Sequence, residues 1–527
     1  MMRIPLSRLF KIPGYQSMPV KTAIIPAVQP LHAMDTSKPK VWTLAASDSG
    51  GGAGIQADVL TLHDLGCHAC TVLTGITAQN SIALQRLEPV PLDMLQAQLE
   101  ALAQDLPAQV IKIGMLADPA SIHWLVNWLS QYKEKHSVLV VADPVLASSS
   151  GYQLADEALL DGWRSLLPSI DLLTPNIPEL AQLSARATAS VAEQVQLLHA
   201  LGAKAVLLKG GHAEQTDTIE DGFFSDPLNF SMRSPRINSP HHHGTGCVLS
   251  SAISAFLAQG YEMEDAIVLA RAYIQQSIAS GYATGAGPGA LGHDGWPRSA
   301  QYLPDIHCKN WPAPPASAFA ALSSELAVYP VVDSVHWLQQ LLPLQPGCLQ
   351  LRIKDDSPTD IELAIMEAIA LSKQHGVRLF INDHWQLAIE HGAYGVHLGQ
   401  QDVLQADVAA IQAAGLRLGL SSHGPFELAR ALQLQPSYVA LGHIFPTQTK
   451  QMPSKPQGVK RLADSVSLCG GTPTVAIGGI NQHRFHQVCQ TGVNGIAMVS
   501  AITKASSPAE ALRYYKQQWE QYHAYHR

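Results

Sequence analysis

No apolar run reaches the roughly 18 residues that a membrane-spanning helix needs, so a membrane protein is not expected. Positive charge is not in excess either. The formal net charge is -8, which argues against a general nucleic-acid binder, since such proteins carry a basic face. Charged residues are only 14% against 46% hydrophobic, so disorder over the whole chain is excluded and full cores are available. No G-x-x-x-x-G-K-[ST] occurs, which excludes a P-loop nucleotide site. Cysteines number seven, an odd count without a secretion signal, which suggests reduced thiols and a cytoplasmic location. Cys67 and Cys70 form a C-x-x-C with no second pair at zinc-ligand spacing, so they read as ordinary buried cysteines at a strand start. The first 40 residues have no acid before Asp35 but carry Arg3, Arg8, Lys11 and Lys21. They faintly resemble a transit peptide, while a disordered extension or a start at Met18 or Met34 accounts for them as well.

What is present has the periodicity of α/β folds. At 527 residues there is room for two or three such domains. From Val41 to about Gly292 short apolar runs (VWTLAAS, ACTVLTGITAQ, VIKIGML, VLVVADPVL, IDLLTPN, AVLLKGG) alternate with amphipathic stretches. That alternation predicts a mainly parallel sheet covered by helices. Residues 293–320 hold Pro297, Pro304, Pro312, Pro314 and Pro315 without periodicity and read as an interdomain linker. From 321 to 527 come eight short apolar runs: LAVYPVVD, CLQLRIK, VRLFIND, YGVHLGQ, LRLGLSSH, YVALGHIF, PTVAIGG and GIAMVSAI. Eight strand–helix repeats in about 200 residues are the count for a closed (β/α)8 TIM barrel, whose C-terminal strand ends form the active-site mouth. Polar or glycine residues stand at those ends: Arg352 and Lys354, Asn382 and Asp383, Gln400 and Asp402, Ser421, Thr447, Gly479 and Ser500.

Two motifs in the first half suit phosphoryl transfer. Ser49-Gly50-Gly51-Gly52-Ala53-Gly54 closes the first strand and opens a helix, and glycines let a ligand approach the backbone. His243-Gly244-Thr245-Gly246-Cys247 precedes an amphipathic helix, whose first N–H groups and partial positive charge attract anions. Such preorganised donors are what a transferring phosphoryl group requires. His241, His242 and His243 are adjacent and should diverge around a turn, so a metal site there is not expected.

Taken together, ASDSGGGAGIQAD, TAQN, KIGML, DPV, TPNIPE, KGGH and HGTGC resemble the ribokinase-like family, and within it the hydroxymethylpyrimidine and phosphomethylpyrimidine kinases. The likeness covers roughly 41–292. It implies an α/β/α domain that uses Mg–ATP. Ribokinase relatives have an aspartate base where this subfamily has a cysteine, here Cys247. The resemblance implies that Cys247 helps deprotonate the attacking hydroxyl while the amides of Gly244, Thr245 and Gly246 stabilise the phosphoryl group. A thiol at a helix N-terminus should have a lowered pKa. Gln79 matches the pyrimidine-reading glutamine, with Asp48 beside it; Asn176, Glu179, Asp143 and Lys209 match the Mg–ATP region. Ser149 stands where many relatives carry lysine or threonine, a departure that bears on the phosphate contacts.

In the second half Arg352 and Lys354 alternate, so both should face one side of a strand, and Asp383 and Asp402 end neighbouring strands. Two carboxylates with two cations are what Mg2+–pyrophosphate demands. QLRIK, INDHWQLA, GVHLGQQD, GLSSH, GHIFPTQTK, AIGGI and VSAI resemble thiamin phosphate synthase over about 326–503. The resemblance implies that Gln350, Arg352, Lys354, Asn382, Ser421 and Lys450 hold a pyrimidine pyrophosphate, that Asp383 and Asp402 ligate Mg2+, and that Thr447, Thr449, Gly479, Val499 and Ser500 hold a thiazole phosphate. The two likenesses imply a fusion acting in thiamin biosynthesis. One half would phosphorylate hydroxymethylpyrimidine to its pyrophosphate, and the other would condense that product with thiazole phosphate. The expected partners are these small molecules and ATP, not nucleic acid or membrane; a homo-oligomer stays open. Three other readings stay open too: a thiazole tautomerase relative, a kinase preferring pyridoxal, and one half being a non-catalytic module.

Overall fold

The structure, a computed structural model, describes residues 37–147, 156–211, 216–354, 357–447 and 454–526. The readings of residues 1–36, Ser149, Thr449 and Lys450 lie outside these.

The first half is built on a ten-stranded sheet. Its strands are β1 (Lys40–Ser47), β2 (His68–Gln79), β3 (Leu84–Pro89), β4 (Val110–Ile113), β5 (Leu139–Ala142), β6 (Leu172–Leu173), β7 (Ala205–Leu208), β8 (Thr218–Ser225), β9 (Asn229–Pro235) and β10 (Asp305–Cys308). They lie in the order β10-β9-β8-β7-β6-β5-β4-β1-β2-β3. β2, β1 and β4 to β7 run parallel, as the alternating pattern predicts; β3 and β8 to β10 are antiparallel additions at the two edges. The apolar runs are continuous because neighbouring residues serve opposite faces. Val41, Val110, Val141, Leu172 and Leu207 enter one core, and Trp42, Ile111, Val140, Leu173 and Val206 the other. Helices on both sides therefore bury the sheet, as a parallel sheet requires. β1 is flanked by β2 on one side and β4 on the other, which makes the crevice beyond its C-terminal end a topological switch point, where such sheets bind ligands.

The segment 293–320 departs from the linker reading. It contributes β10, which pairs antiparallel with β9, and it buries Ile306 and Phe319 in the core. Its prolines flank the strand instead of filling it, so a four-residue edge strand fits between them without showing a period.

The second half is a closed barrel of β11 (Ala327–Val332), β12 (Cys348–Leu351), β13 (Arg378–Asn382), β14 (Gly395–Leu398), β15 (Arg417–Ser422), β16 (Tyr438–Gly442), β17 (Thr474–Ile477) and β18 (Gly495–Met498). All pairs are parallel, and β18 returns to β11. The eight strands fall in the eight apolar runs. Large side chains inside the barrel are matched by glycines: a Cβ on Gly419 would come within 2.2 Å of the Tyr438 ring, and one on Gly395 within 2.5 Å of Phe380. This is the small-against-large filling that a narrow barrel needs. Both folds belong to one compact unit, 39–527. Among the described residues no helix is long and apolar enough to cross a membrane.

Candidate active sites

The glycine-rich turn after β1 is organised by Asp48. Its carboxylate accepts from the amides of Gly50 (2.8 Å) and Ala53 (2.9 Å) and lies 3.2 Å from His243 Nε2. Burial alone would raise the Asp48 pKa, but the His243 contact and the two amides hold it below the ordinary value. Gln79 Nε2 lies 3.4 Å from the same His243 nitrogen, so Asp48, His243 and Gln79 form one cluster. His243 was not read as a site residue. His241 lies instead against Gly281 and Gly289, and only the tertiary fold decides which histidine faces the crevice.

The second motif meets the first there. Gly244 has φ +83°, and a Cβ on it would come within 2.0 Å of the Gly52 carbonyl oxygen. Both demands, a left-handed backbone and close approach, require glycine. Gly244 is the N-cap of the helix Thr245–Ala258. The leading amides of a helix lack intrahelical partners, so those of Thr245, Gly246 and Cys247 stand at a donor-rich end. Beside it, a Cβ on Gly246 would lie 3.0 Å from Asp143 Oδ2 and 3.5 Å from Lys209 Nζ. Lys209 pairs with Asp143 and sits 3.8 Å from Glu179. Burial and the Asp143 charge push Glu179 up to about 7 against the pull of Lys209. Asn176 and Glu179 also form a reciprocal capping box on the helix Ile177–Ser184, so their spacing has a local structural cause as well.

The expectation of an acidic thiol at Cys247 is corrected. Burial pushes its pKa up to about 11, Lys112 opposes that, and Asp58 and Asp143 add to it. Below lies a buried ion pair that went unremarked in the sequence. Lys112 Nζ donates to both Asp58 oxygens at 2.9 and 2.8 Å, and both side chains are fully buried. Thr43 and Ser251, the latter one turn beyond Cys247, donate to the same carboxylate. The available signal was a lone lysine in the apolar run VIKIGML.

At the barrel mouth a cavity of about 600 Å³ is lined by Gln350, Arg352, Lys354, Asn382, Asp383, Asp402, Ser421, Thr447, Gly479, Val499 and Ser500. The fold brings all of these named residues together. Arg352 and Lys354 lie just past the end of β12, not within it, yet both face the cavity. Asp383 and Asp402 stand side by side at the mouth, close enough for their charges to couple. Burial and the Asp402 charge raise the Asp383 pKa, with Lys354 (3.9 Å away) and Arg352 opposing. Gly478 and Gly479, with φ +106° and +64°, turn the AIGGI backbone over the mouth, where a Cβ on Gly479 would strike the Pro446 carbonyl.

Under the cavity runs a polar chain that was also missed. Gln350 donates to Tyr329, Tyr329 bonds Tyr438 at 2.9 Å, Tyr438 bonds His397 Nδ1 at 2.8 Å, and His397 Nε2 bonds Ser421 at 2.9 Å. Burial, with Arg352 adding to it, pushes His397 down to about 4, so the ring is neutral at physiological pH. The period-2 rule would have turned His397 inward between Val396 and Leu398.

The two halves thus define a ribokinase-like phosphotransferase and a barrel enzyme whose mouth gathers cations beside paired carboxylates. Residues 48–292 match the family model for phosphomethylpyrimidine kinase, and 328–502 match that for thiamine monophosphate synthase. The chain is 56% identical over 190 residues to thiamine-phosphate synthase of Proteus mirabilis (strain HI4320), covering 36% of this chain and 88% of that relative. Among solved structures, phosphomethylpyrimidine kinase from Clostridium difficile 630 is 34% identical, with 46% of this chain and 100% of that one covered and a TM-score of 0.40. Pyridoxal kinase from Staphylococcus aureus, in complex with AMP-PCP and pyridoxal, is 26% identical, with 51% and 98% covered and a TM-score of 0.46. The chain belongs to the thiamine-phosphate synthase family through its barrel and carries a phosphomethylpyrimidine kinase region ahead of it. It is a kinase and a transferase of thiamin biosynthesis.

Proposed function

We propose that the Asp48–His243–Gln79 crevice binds hydroxymethylpyrimidine and its monophosphate, that ATP phosphorylates both there, and that the barrel mouth condenses the resulting pyrophosphate with thiazole phosphate. The observation that carries the reading is the convergence of Arg352, Lys354, Asp383 and Asp402 on one cavity. Two neighbouring carboxylates are poorly stable as a bare pair, and their oxygens suit a hard cation. Asp383 and Asp402 fit Mg2+ as ligands. When bound, Mg2+ would neutralise charge on the departing pyrophosphate.

The side chains do the rest. Arg352 and Lys354 compensate the remaining pyrophosphate charge, and Gln350, Asn382 and Ser421 orient the aminopyrimidine. The bond from methylene carbon to pyrophosphate breaks, and the thiazole nitrogen supplies the electron pair for the new bond to that carbon. Thr447, Gly479, Val499 and Ser500 hold the thiazole phosphate, so the site works by positioning and electrostatics. Thr449 and Lys450 are proposed to join these sets. In the kinase crevice the amides of Gly244–Gly246 face the phosphoryl group, with Lys209, Asp143, Asn176 and Glu179 around Mg–ATP. Cys247, a neutral thiol at rest, orients the attacking hydroxyl.

The test is one reaction: purified chain, ATP, Mg2+, hydroxymethylpyrimidine and thiazole phosphate, with mass detection of thiamin phosphate. Product is expected from the intact chain. Asp383→Asn should stop at the pyrimidine pyrophosphate. Normal coupling by a folded Asp383→Asn chain would remove that residue from the proposed site.

A further inference from the structure

The helix Pro425–Gln433 follows directly on Ser421, Ser422 and His423, three residues that line the barrel cavity. Its N-cap is Gly424, which has no side chain to satisfy the first amides, and Pro425 supplies none. The missing acceptor comes from the other half of the chain. Asp265, in the helix Met263–Ala279, accepts from the Phe426 amide at 2.8 Å. Gly424 makes room for it: a Cβ there would lie 2.3 Å from Asp265 Oδ2. Burial pushes the Asp265 carboxyl up to about 7 against the pull of the Phe426 amide, so the site costs the carboxylate solvation that the helix end returns only in part. A second connection reaches the same loop. Arg430 stacks on Trp311 at 4.4 Å and on Phe426 at 4.5 Å, and its guanidinium donates to Gln400 Oε1 at 2.8 Å. Gln400 in turn donates to the Ser421 carbonyl at 2.6 Å.

We propose that Asp265, a residue of the kinase half, is a positioning residue for the coupling reaction of the barrel: it caps the helix Pro425–Gln433 across the domain junction and so fixes the Ser421–Gly424 loop at the mouth. This rests on the reading of that mouth as the coupling site. Asp265 touches no substrate. An acceptor at a helix N-terminus fixes its first turn and so holds the loop that leads into it.

The experiment uses the full chain, with phosphorylation and coupling measured separately, the latter from supplied pyrimidine pyrophosphate and thiazole phosphate. Asp265→Ala should lower kcat/KM for coupling roughly 3- to 10-fold, well short of the ~10²-fold that a ~1 Å misplacement costs, with phosphorylation unchanged. Adding Gly424→Ser to Asp265→Ala supplies a cap from within the barrel and should restore coupling. Were Asp265→Ala not to fold, Gly424→Ala, whose methyl displaces the carboxylate, should give the same selective loss. Unchanged coupling in these variants, an equal fall in both activities, or no recovery with Gly424→Ser would overturn the proposal. Asp383→Asn, run alongside, separates the two failures. If it loses coupling while Asp265→Ala does not, only the role of Asp265 is lost; if Asp383→Asn couples normally, the site reading itself is lost.

Discussion

Cys247 is placed by its helix and governed by what surrounds it. At a helix N-terminus a thiol normally ionises more easily, yet burial above the Lys112–Asp58 pair pushes this one to about 11. At pH 7.5 the thiolate fraction is then on the order of 10⁻³ to 10⁻⁴, so nucleophilic alkylation should be slow. A raised pKa means protonation persists below about 11, so the rate should climb about tenfold per pH unit from 7 to 10. Peptide mass spectrometry after iodoacetamide treatment reads this directly, and rapid modification of Cys247 at pH 7 would contradict it. Cys247→Ser should slow phosphorylation by up to about 10²-fold, the cost of a misplaced attacking group, with coupling intact. At the barrel mouth Asp383→Asn should slow coupling at ordinary Mg2+ and recover in part as Mg2+ is raised, because an amide keeps the shape and loses the charge. A coupling rate with no dependence on Mg2+ in that variant would assign Asp383 another role.

The elements explain why these side chains stand where they do. β1 ends at Ser47, and the turn beyond it closes on the Asp48 carboxylate, so the glycine-rich motif is shaped as much by one acid as by its glycines. The start of the helix Thr245–Ala258 is locked against that turn through Gly244 and Gly52. Gly244→Ala would need a left-handed backbone, costing roughly 1–2 kcal/mol, and would also drive a methyl into a carbonyl oxygen. Phosphorylation should be lost, the melting temperature should fall by several degrees, and any residual coupling should match the folded fraction; activity assays beside calorimetry give all three. Among the described strands of the barrel the pattern was legible because each strand is a short, mostly apolar run bounded by turn residues, and all eight were found. β3, β8, β9 and β10 were not, since they are antiparallel strands at or next to the sheet's edges whose half-exposed faces, with Arg86, Glu220, Arg233 and His307, dilute the apolar signal.

At the scale of the molecule the junction between the halves is a packed surface. Phe230 of β9 meets Phe426 of the barrel with ring centroids 4.8 Å apart. Ile306 donates to Gln433, and Arg461 lies 4.0 Å over the Tyr261 ring while donating to the Gln259 carbonyl. Phe426→Ala should therefore cost about 3–5 kcal/mol, the range for emptying a buried aromatic site. Denaturant unfolding followed by kinase and coupling activity together should show the two midpoints drawing apart in that variant. Unchanged midpoints would mean that the rings touch without contributing. Proteolysis between Pro312 and Pro315 would likewise act on a segment tied to both halves, since β10 and Phe319 lie on either side of it.

The sequence by itself determined the two fold classes, the eight barrel strands and most residues at the barrel mouth. Strand periodicity and strand-end position are local properties, and in a parallel α/β fold the strand ends converge by topology. Tertiary structure alone decided which of three adjacent histidines faces Asp48, whether Cys247 ionises easily, and where Asp265 finds its partner. Each of these depends on groups far apart in the chain: His243 on Asp48, the Cys247 thiol on Lys112 and Asp58, Asp265 on the Phe426 amide. Burial and electrostatics are set by what the fold brings near, and no spacing along the chain encodes that distance.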